Sequence, residues 1–263
     1  MKLKFVLLGF ALFCFAANCF SSDEVTLNVN GTKRVFLLHV PPSHSTNPKP
    51  VVIAFHGFNE TAANLEKVTG TSSFADQAGF IAVYPQGEKN EWHVFGFNDE
   101  DLVFVRAIVE YLERNYTIDK NRIYAEGISN GAQMSYRLAC DASDIFAAYV
   151  MNAGNYSPNC KPAVKHPILM IHGTEDRLLP YSGRGMLEGP RQMAARWAAV
   201  DGCHPSPKTF LEKGDVKAEE WHCEGGPQVQ LYSVRGQGHI VRTQDVKLVQ
   251  VMWDFFQHHS AEK

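Results

Sequence analysis

The sequence has no lysine- or arginine-rich run, and its formal charge of −3 leaves no electrostatic footprint for a nucleic acid. It has no internal repeat and no Pro/Gly/Ser-rich linker, so nothing divides the chain and one folded unit is expected. No apolar run reaches the roughly 20 residues that a membrane-spanning helix needs. Glycine (20) and proline (13) are near average, which excludes collagen-like and low-complexity chains. What is there instead is 45% apolar and 20% charged residues over a length of 263, enough for a full hydrophobic core.

The first twenty-odd residues stand apart. Lys2 and Lys4 are the only charges before Asp23, and an unbroken apolar run follows from Phe5 to Ala17 before Asn18-Cys-Phe-Ser-Ser22. A short basic start, about 7–15 apolar residues and a small-residue exit read as a secretory signal peptide. The expected division is a signal over 1–21, cleaved between Ala17 and Ser22, and a catalytic domain over 22–263. The product is expected to be extracellular and off the membrane once the signal is removed. Four Asn-x-Ser/Thr sequons, at Asn30, Asn59, Asn115 and Asn155, would matter in a host that glycosylates secreted proteins.

Secretion changes how the cysteines read. Cys140, Cys160, Cys203 and Cys223 lie beyond the leader and allow three pairings. Pairing of sequence neighbours is the simplest. A zinc site of Cys203, His204, His222 and Cys223 is the rival, but adjacent ligands on both arms fit a tetrahedron poorly, and an oxidising compartment favours disulfides.

Strand and helix patterns alternate. Glu24–Val29 and Lys33–Val40 alternate around Asn30-Gly31 as a hairpin would. Val51–Phe55, Phe80–Tyr84, Arg122–Ala125, Phe146–Met151, Pro167–Ile171 and Gln228–Val234 read as strands, several of them buried on both faces. Thr61–Gly79 has weak helical spacing. Glu100–Asn115 is amphipathic, with Leu102, Val105, Ile108, Val109 and Leu112 at three- and four-residue intervals. Helices are also expected over Ser129–Cys140 and Thr243–His258. The segment Arg177–Trp221 is long and polar and reads as a partial lid. The pattern implies an α/β fold with a mostly parallel central sheet and helices on both faces.

The chemistry-bearing residues fall at strand ends. Gly127-Ile-Ser-Asn-Gly131 follows a strand and opens a helix, the setting of a Gly-x-Ser-x-Gly elbow that exposes a nucleophilic serine. Ser129 is the candidate nucleophile, and the Asn130 amide at the helix N-terminus a candidate oxyanion donor. In this architecture the acid and base follow in that order. Asp176, in the loop after the Pro167–Ile171 strand, is the candidate acid, with Glu175 its rival. His239, between glycines after the last strand, is the candidate base. His258 and His259 sit at a helix end, and His204 and His222 adjoin cysteines. The Phe58 amide after His56-Gly57 is the second oxyanion candidate, while His56 itself reads as a structural hydrogen-bonding residue. Trp92, Phe95 and Phe97 would either stack on an aromatic acyl group or cap the core.

The stretches AFHGFNETAANLEKVTG (54–70), FADQAGFIAVYPQG (74–87), FVRAIVEYLERNYTIDKNRIYAEGISNGAQMSYRLAC (104–140), FAAYVMNAG (146–154), ILMIHGTEDRLLPY (168–181) and GQGHIV (236–241) together resemble the polyhydroxybutyrate depolymerase and feruloyl esterase group of α/β-hydrolases. The resemblance covers most of the chain beyond the leader. It implies the α/β-hydrolase fold, Ser129, Asp176 and His239 as a triad, the Phe58 and Asn130 amides as the oxyanion hole, and disulfides Cys140–Cys160 and Cys203–Cys223. It also implies a small or polymeric carboxylic ester as substrate, with neither cofactor nor metal. Two departures stand out: Phe58 where many relatives have cysteine, and GQGHIV where they have Gly-Gly-Gly-His-Trp-Pro. The second leaves substrate preference open. A serine peptidase on the same fold and a catalytically inactive binding protein are the competing readings. Without a separate polymer-binding module, feruloyl or other soluble esters are favoured over crystalline polyester.

Overall fold

The computed structural model describes residues 22–42, 46–96, 98–154, 165–224 and 228–261. The expected signal peptide, Phe97, the Asn155 sequon and Cys160 lie outside the described residues. The alternating N-terminal segment folds as the expected hairpin, β1 (Asp23–Val29) against β2 (Thr32–His39), with Asn30 and Gly31 both at positive φ in the turn. The apolar runs become β3 (Lys49–Phe55), β4 (Ile81–Pro85), β5 (Ile118–Ile128), β6 (Ala148–Asn152) and β7 (Ile168–Gly173). Strand β5 is eleven residues long, well beyond the four expected, because β3 and β6 pair with it on either side.

The weakly periodic stretch after β3 splits into α1 (Ala62–Thr69) and α2 (Thr71–Ala78), parted by Gly70 at φ 65°. Helix α3 spans Glu100–Asn115 as its spacing implies, and α4 runs from Asn130 to Asp141. The region between Arg177 and Trp221 is not a lid. It contains α5 (Pro190–Asp201), which buries Met193, Ala194 and Trp197, and a hairpin of β8 (Lys208–Lys213) and β9 (Val216–Trp221). Strand β10 (Val229–Val234) and helix α6 (Leu248–Gln257) follow.

All ten strands form one sheet in the order β1-β2-β4-β3-β5-β6-β7-β10-β9-β8. The six from β4 to β10 run parallel, and antiparallel pairs extend both sides. Two cores result, one per face. Phe104, Met134, Leu138 and Trp197 of α3, α4 and α5 fill the first. Leu65 and Ala75 of α1 and α2, with Trp253 and Phe256 of α6, fill the second. There Trp253 stacks on Phe80 and Phe256 on Tyr124, each with ring centroids 4.5 Å apart.

Helix α6 starts five residues later than expected, and the new hairpin is the reason. Thr243 Oγ1 donates to Asp215 Oδ1 at 2.6 Å, Lys213 Nζ to the Asp245 carbonyl at 2.8 Å, and the Asp215 amide to Asp245 Oδ2 at 2.9 Å. These bonds tie residues 243–245 to the β8–β9 turn in a non-helical path.

Cys203 and Cys223 are joined, tying the end of α5 to the end of β9. Their sulfurs are thus bonded to each other rather than available as the thiolates a zinc site needs, and the His204 ring faces Ser206. Cys140, at the end of α4, is also disulfide-bonded. Replacing Cys203 and Cys223 together by serine should lower the melting temperature, because losing a bridge in a small secreted domain costs about 2–5 kcal/mol. Thermal denaturation of the pair variant, alongside wild type with and without reductant, measures this; an unchanged Tm would show that the bridge contributes nothing.

Candidate active site

Strand β5 delivers Ser129 into a turn that only its neighbours make feasible. Ser129 has φ 57° and ψ −117°, a conformation that a side-chain-bearing residue adopts at a cost. A Cβ on Gly127 would lie 2.0 Å from the Gly131 carbonyl oxygen, and one on Gly131 2.0 Å from that of Phe55. Both flanking glycines are therefore sterically required. The Ser129 amide donates to the Asn152 carbonyl at 2.9 Å, pinning the turn to the end of β6.

Two loops bring the other members to it. His239 Nε2 lies 2.8 Å from Ser129 Oγ, and His239 Nδ1 lies 2.8 Å from Asp176 Oδ2. The loops after β7 and β10 touch at Gly173, where a Cβ would come 2.3 Å from the Gln237 carbonyl oxygen. Asp176 is buried, and its Oδ1 accepts the Leu178 and Leu179 amides, each at 2.9 Å. These donors fix the rotation of the carboxyl group. Glu175, the rival acid, is exposed. His172 Nε2 donates to the Leu179 carbonyl at 2.9 Å and lies 3.2 Å from Asp176 Oδ2, an interaction that no spacing in the sequence announces. Burial lowers the His172 pKa, so the ring is neutral beside the carboxylate.

The β3 loop closes the third side. A Cβ on Gly57 would sit 3.6 Å from Ser129 Cβ, so the His56-Gly57-Phe58 backbone passes directly beside Ser129. Buried His56 donates from Nδ1 to the Gly57 carbonyl at 2.8 Å and accepts the Gly87 amide on Nε2 at 2.9 Å. The carbonyl it holds belongs to the same peptide unit as the Phe58 N–H. Burial keeps His56 neutral by lowering its pKa, as the accepting Nε2 requires. Among the described residues neither the Phe58 nor the Asn130 amide has an acceptor.

Trp92 takes the core-capping alternative. It is buried, edge-on to Phe55 with centroids 5.2 Å apart, and its Nε1 donates to the His56 carbonyl at 2.9 Å. Its backbone is also held by the Asn130 side chain, which accepts the Trp92 amide at 2.8 Å. Phe95 is 57% exposed, and Phe58, Leu178 and Ile240 are exposed as well, the last two within two residues of Asp176 and His239. The Phe95 loop is held by residues that sequence reasoning missed. Arg137 of α4 donates to the carbonyls of His93 and Asn98 and pairs with Asp99 at 2.6 Å. Asp101, wholly buried, accepts Arg34 at 2.7 Å and the His93 amide at 2.8 Å. In sequence Asp101 is indistinguishable from an acid favouring a helix N-terminus.

The chain is 29% identical over 222 residues to feruloyl esterase B of Piromyces equi, covering 75% of this chain and 41% of that protein. It is 27% identical over 227 residues to a bifunctional acetylxylan esterase/xylanase of Neocallimastix patriciarum, covering 83% of this chain and 32% of that one. The chain thus spans less than half the length of these curated relatives. Acetyl xylan esterase from Aspergillus awamori superposes with a TM-score of 0.70 at 18% identity, over 89% of this chain and 99% of that one, which gives the α/β-hydrolase fold. Residues 34–177 match the family described as Esterase PHB depolymerase, and the chain belongs to that family.

Proposed function

We propose that the protein is a secreted serine carboxylic ester hydrolase that works through an acyl-enzyme and prefers esters of aromatic acids, as the names of its feruloyl esterase relatives suggest. The observation that carries this is the unbroken chain from Ser129 Oγ through His239 to Asp176, with 2.8 Å at each link. Asp176 accepts a hydrogen bond from His239 Nδ1–H, which fixes the tautomer that leaves Nε2 unprotonated and free to act as base. Ser129 Oγ attacks the ester carbonyl carbon as its proton passes to His239 Nε2. The oxyanion that forms takes hydrogen bonds from the Phe58 and Asn130 amides, which spend nothing elsewhere. Collapse breaks the bond to the alcohol oxygen, which leaves with the proton from Nε2. A water molecule then gives a proton to Nε2 and attacks the acyl carbon. The acid departs, and Ser129 regains its hydrogen.

The Cys203–Cys223 bridge supports passage through an oxidising compartment, and with it the role of residues 1–21 as a signal. Cys160 is proposed as the partner of Cys140. Asn30, Asn59 and Asn115 are exposed and so accessible to glycosylation in a host that performs it. Phe95 and Phe58 are proposed to flank the acyl group, because both are exposed, Phe58 follows Gly57 beside Ser129, and Phe95 lies on the loop whose Trp92 amide is held by the Asn130 side chain.

Ser129→Ala should lower kcat at least ~10³-fold with an unchanged circular dichroism spectrum, and a serine-directed phosphonate should label Ser129 alone. An active Ser129→Ala protein would end the assignment. Asp176→Asn should cost about 10⁴-fold in kcat while Glu175→Gln stays within twofold, since only Asp176 can orient the imidazole; the opposite ranking would move the acid. Phe95→Ala should raise KM several-fold for methyl hydroxycinnamates and leave 4-nitrophenyl acetate unaffected. Equal effects on both esters would remove Phe95 from the acyl site. Assaying the matching anilides alongside tests the peptidase reading.

A further inference from the structure

Behind the triad, on the α1 and α6 face of the sheet, lies a cavity of about 360 Å³ that the mechanism above does not use. Neither Ser129 nor His239 is among its described lining residues. It takes lining from the ends of β5, β6 and β7 and from residues on either side of the non-helical stretch 243–245. Its walls are apolar, from Ile128, Val150, Ile171, Leu248 and Met252. Its floor is not. Glu126, on a central strand of the sheet, is only half-buried, and what exposes it is this cavity. Among the described residues its carboxyl has neither a hydrogen bond nor an ion pair. Burial lifts that carboxyl to about 8, so at neutral pH it is mostly protonated and able to donate. Asn152, on the same face of the neighbouring strand, adds a buried Oδ1 with no donor. At the mouth stand two exposed cations, Arg242 and Lys247.

The Glu126 carboxyl and the unsatisfied Asn152 Oδ1 are thus both available to a ligand that enters the cavity. The lining specifies that ligand in three parts: a negative group for the mouth, an apolar body for the walls, and a hydroxyl for the floor. We propose that this cavity is a second binding site, for a small monocarboxylic acid with an apolar body and a distal hydroxyl, its carboxylate at Arg242 and Lys247 and its hydroxyl between Glu126 and Asn152. The volume suits such a molecule, at the lower end of the range of ligand pockets. Ile240, Val241 and Arg242, the residues that follow His239, also line the site, so an occupant touches the loop that carries His239. That the natural occupant is the acid released at Ser129 rests on the ester-hydrolase reading; the binding itself does not.

The test is calorimetric titration of the full protein with 3-(4-hydroxyphenyl)propionate and with 3-phenylpropionate, which differ only in the hydroxyl. Wild type should bind the hydroxylated acid saturably and about tenfold more tightly than its unsubstituted counterpart. Arg242→Ala with Lys247→Ala, both at exposed positions, should weaken both acids at least tenfold while leaving turnover of 4-nitrophenyl acetate unchanged in their absence. Glu126→Leu should erase the preference for the hydroxyl. Protein first treated with the phosphonate should still bind both acids, which separates this site from the nucleophile. No saturable binding to wild type, full affinity in the Arg242/Lys247 variant, a hydroxyl preference that survives Glu126→Leu, or loss of binding after the phosphonate would each overturn the proposal. An inactive wild type that still binds in this pattern would sink the esterase reading and leave the second site standing.

Discussion

The site depends on how closely α4 approaches the C-terminal ends of the central strands β3 and β5. Gly131 brings the first turn of that helix against the Phe55 carbonyl, and Gly127 lets β5 fold back under it. No side chain fits between them. The consequence is a serine whose backbone has no freedom to choose another conformation, held by the Asn152 carbonyl and by the helix that begins one residue later. Because the helix starts there, its unsatisfied first amides and the positive end of its dipole lie beside the same oxygen. Position and electrostatics thus come from one steric fact.

Helix α4 also carries Arg137, two turns on, and Arg137 grips both ends of the loop that bears Phe95. The nucleophile and the proposed acyl wall are therefore indexed to a single rigid element. The Asp101 carboxylate performs a related task from α3, where it is surrounded by Arg34 and two donors of His93. A buried charge so fully partnered contributes little net stability, but removing any one partner leaves the others stranded. Its role is to define where the loop sits.

Sequence reading reached the parallel core and the elbow for the same reason: both are local. VVIAF and FIAVY are apolar on every residue, and the elbow is a five-residue pattern, although only Gly127 has its steric cause within it and Gly131 is required against distant Phe55. The same reading placed Asp176 and His239 from chain order, their loops after strands, the setting aside of the other histidines and the family resemblance, and the structure brings their side chains together. It failed where the pattern is not local. The β8–β9 hairpin looks like polar loop because β8 lies at the sheet edge with Lys208, Glu212 and Lys213 in solvent, and its strand character comes from pairing with β9. Helix α6 was drawn too long because the bonds that unwind its start come from that hairpin, thirty residues earlier in the chain. His172, Asp101 and Arg137 are ordinary polar residues in sequence; their roles appear only once distant loops converge.

The hairpin has a consequence for the ends of the sheet. An open sheet presents a row of unpaired amides and carbonyls at each end, and adding strands moves that row outward without abolishing it. Here the two outermost strands bring their own deterrent, Asp23 and Glu24 on β1 and the lysines and glutamate of β8, with side chains largely in water. A neighbouring molecule that offered a strand to either end would meet these charges before it could form a ladder. The residues that hid β8 from a hydropathy pattern are thus the ones that keep a ten-stranded sheet from becoming a twenty-stranded one.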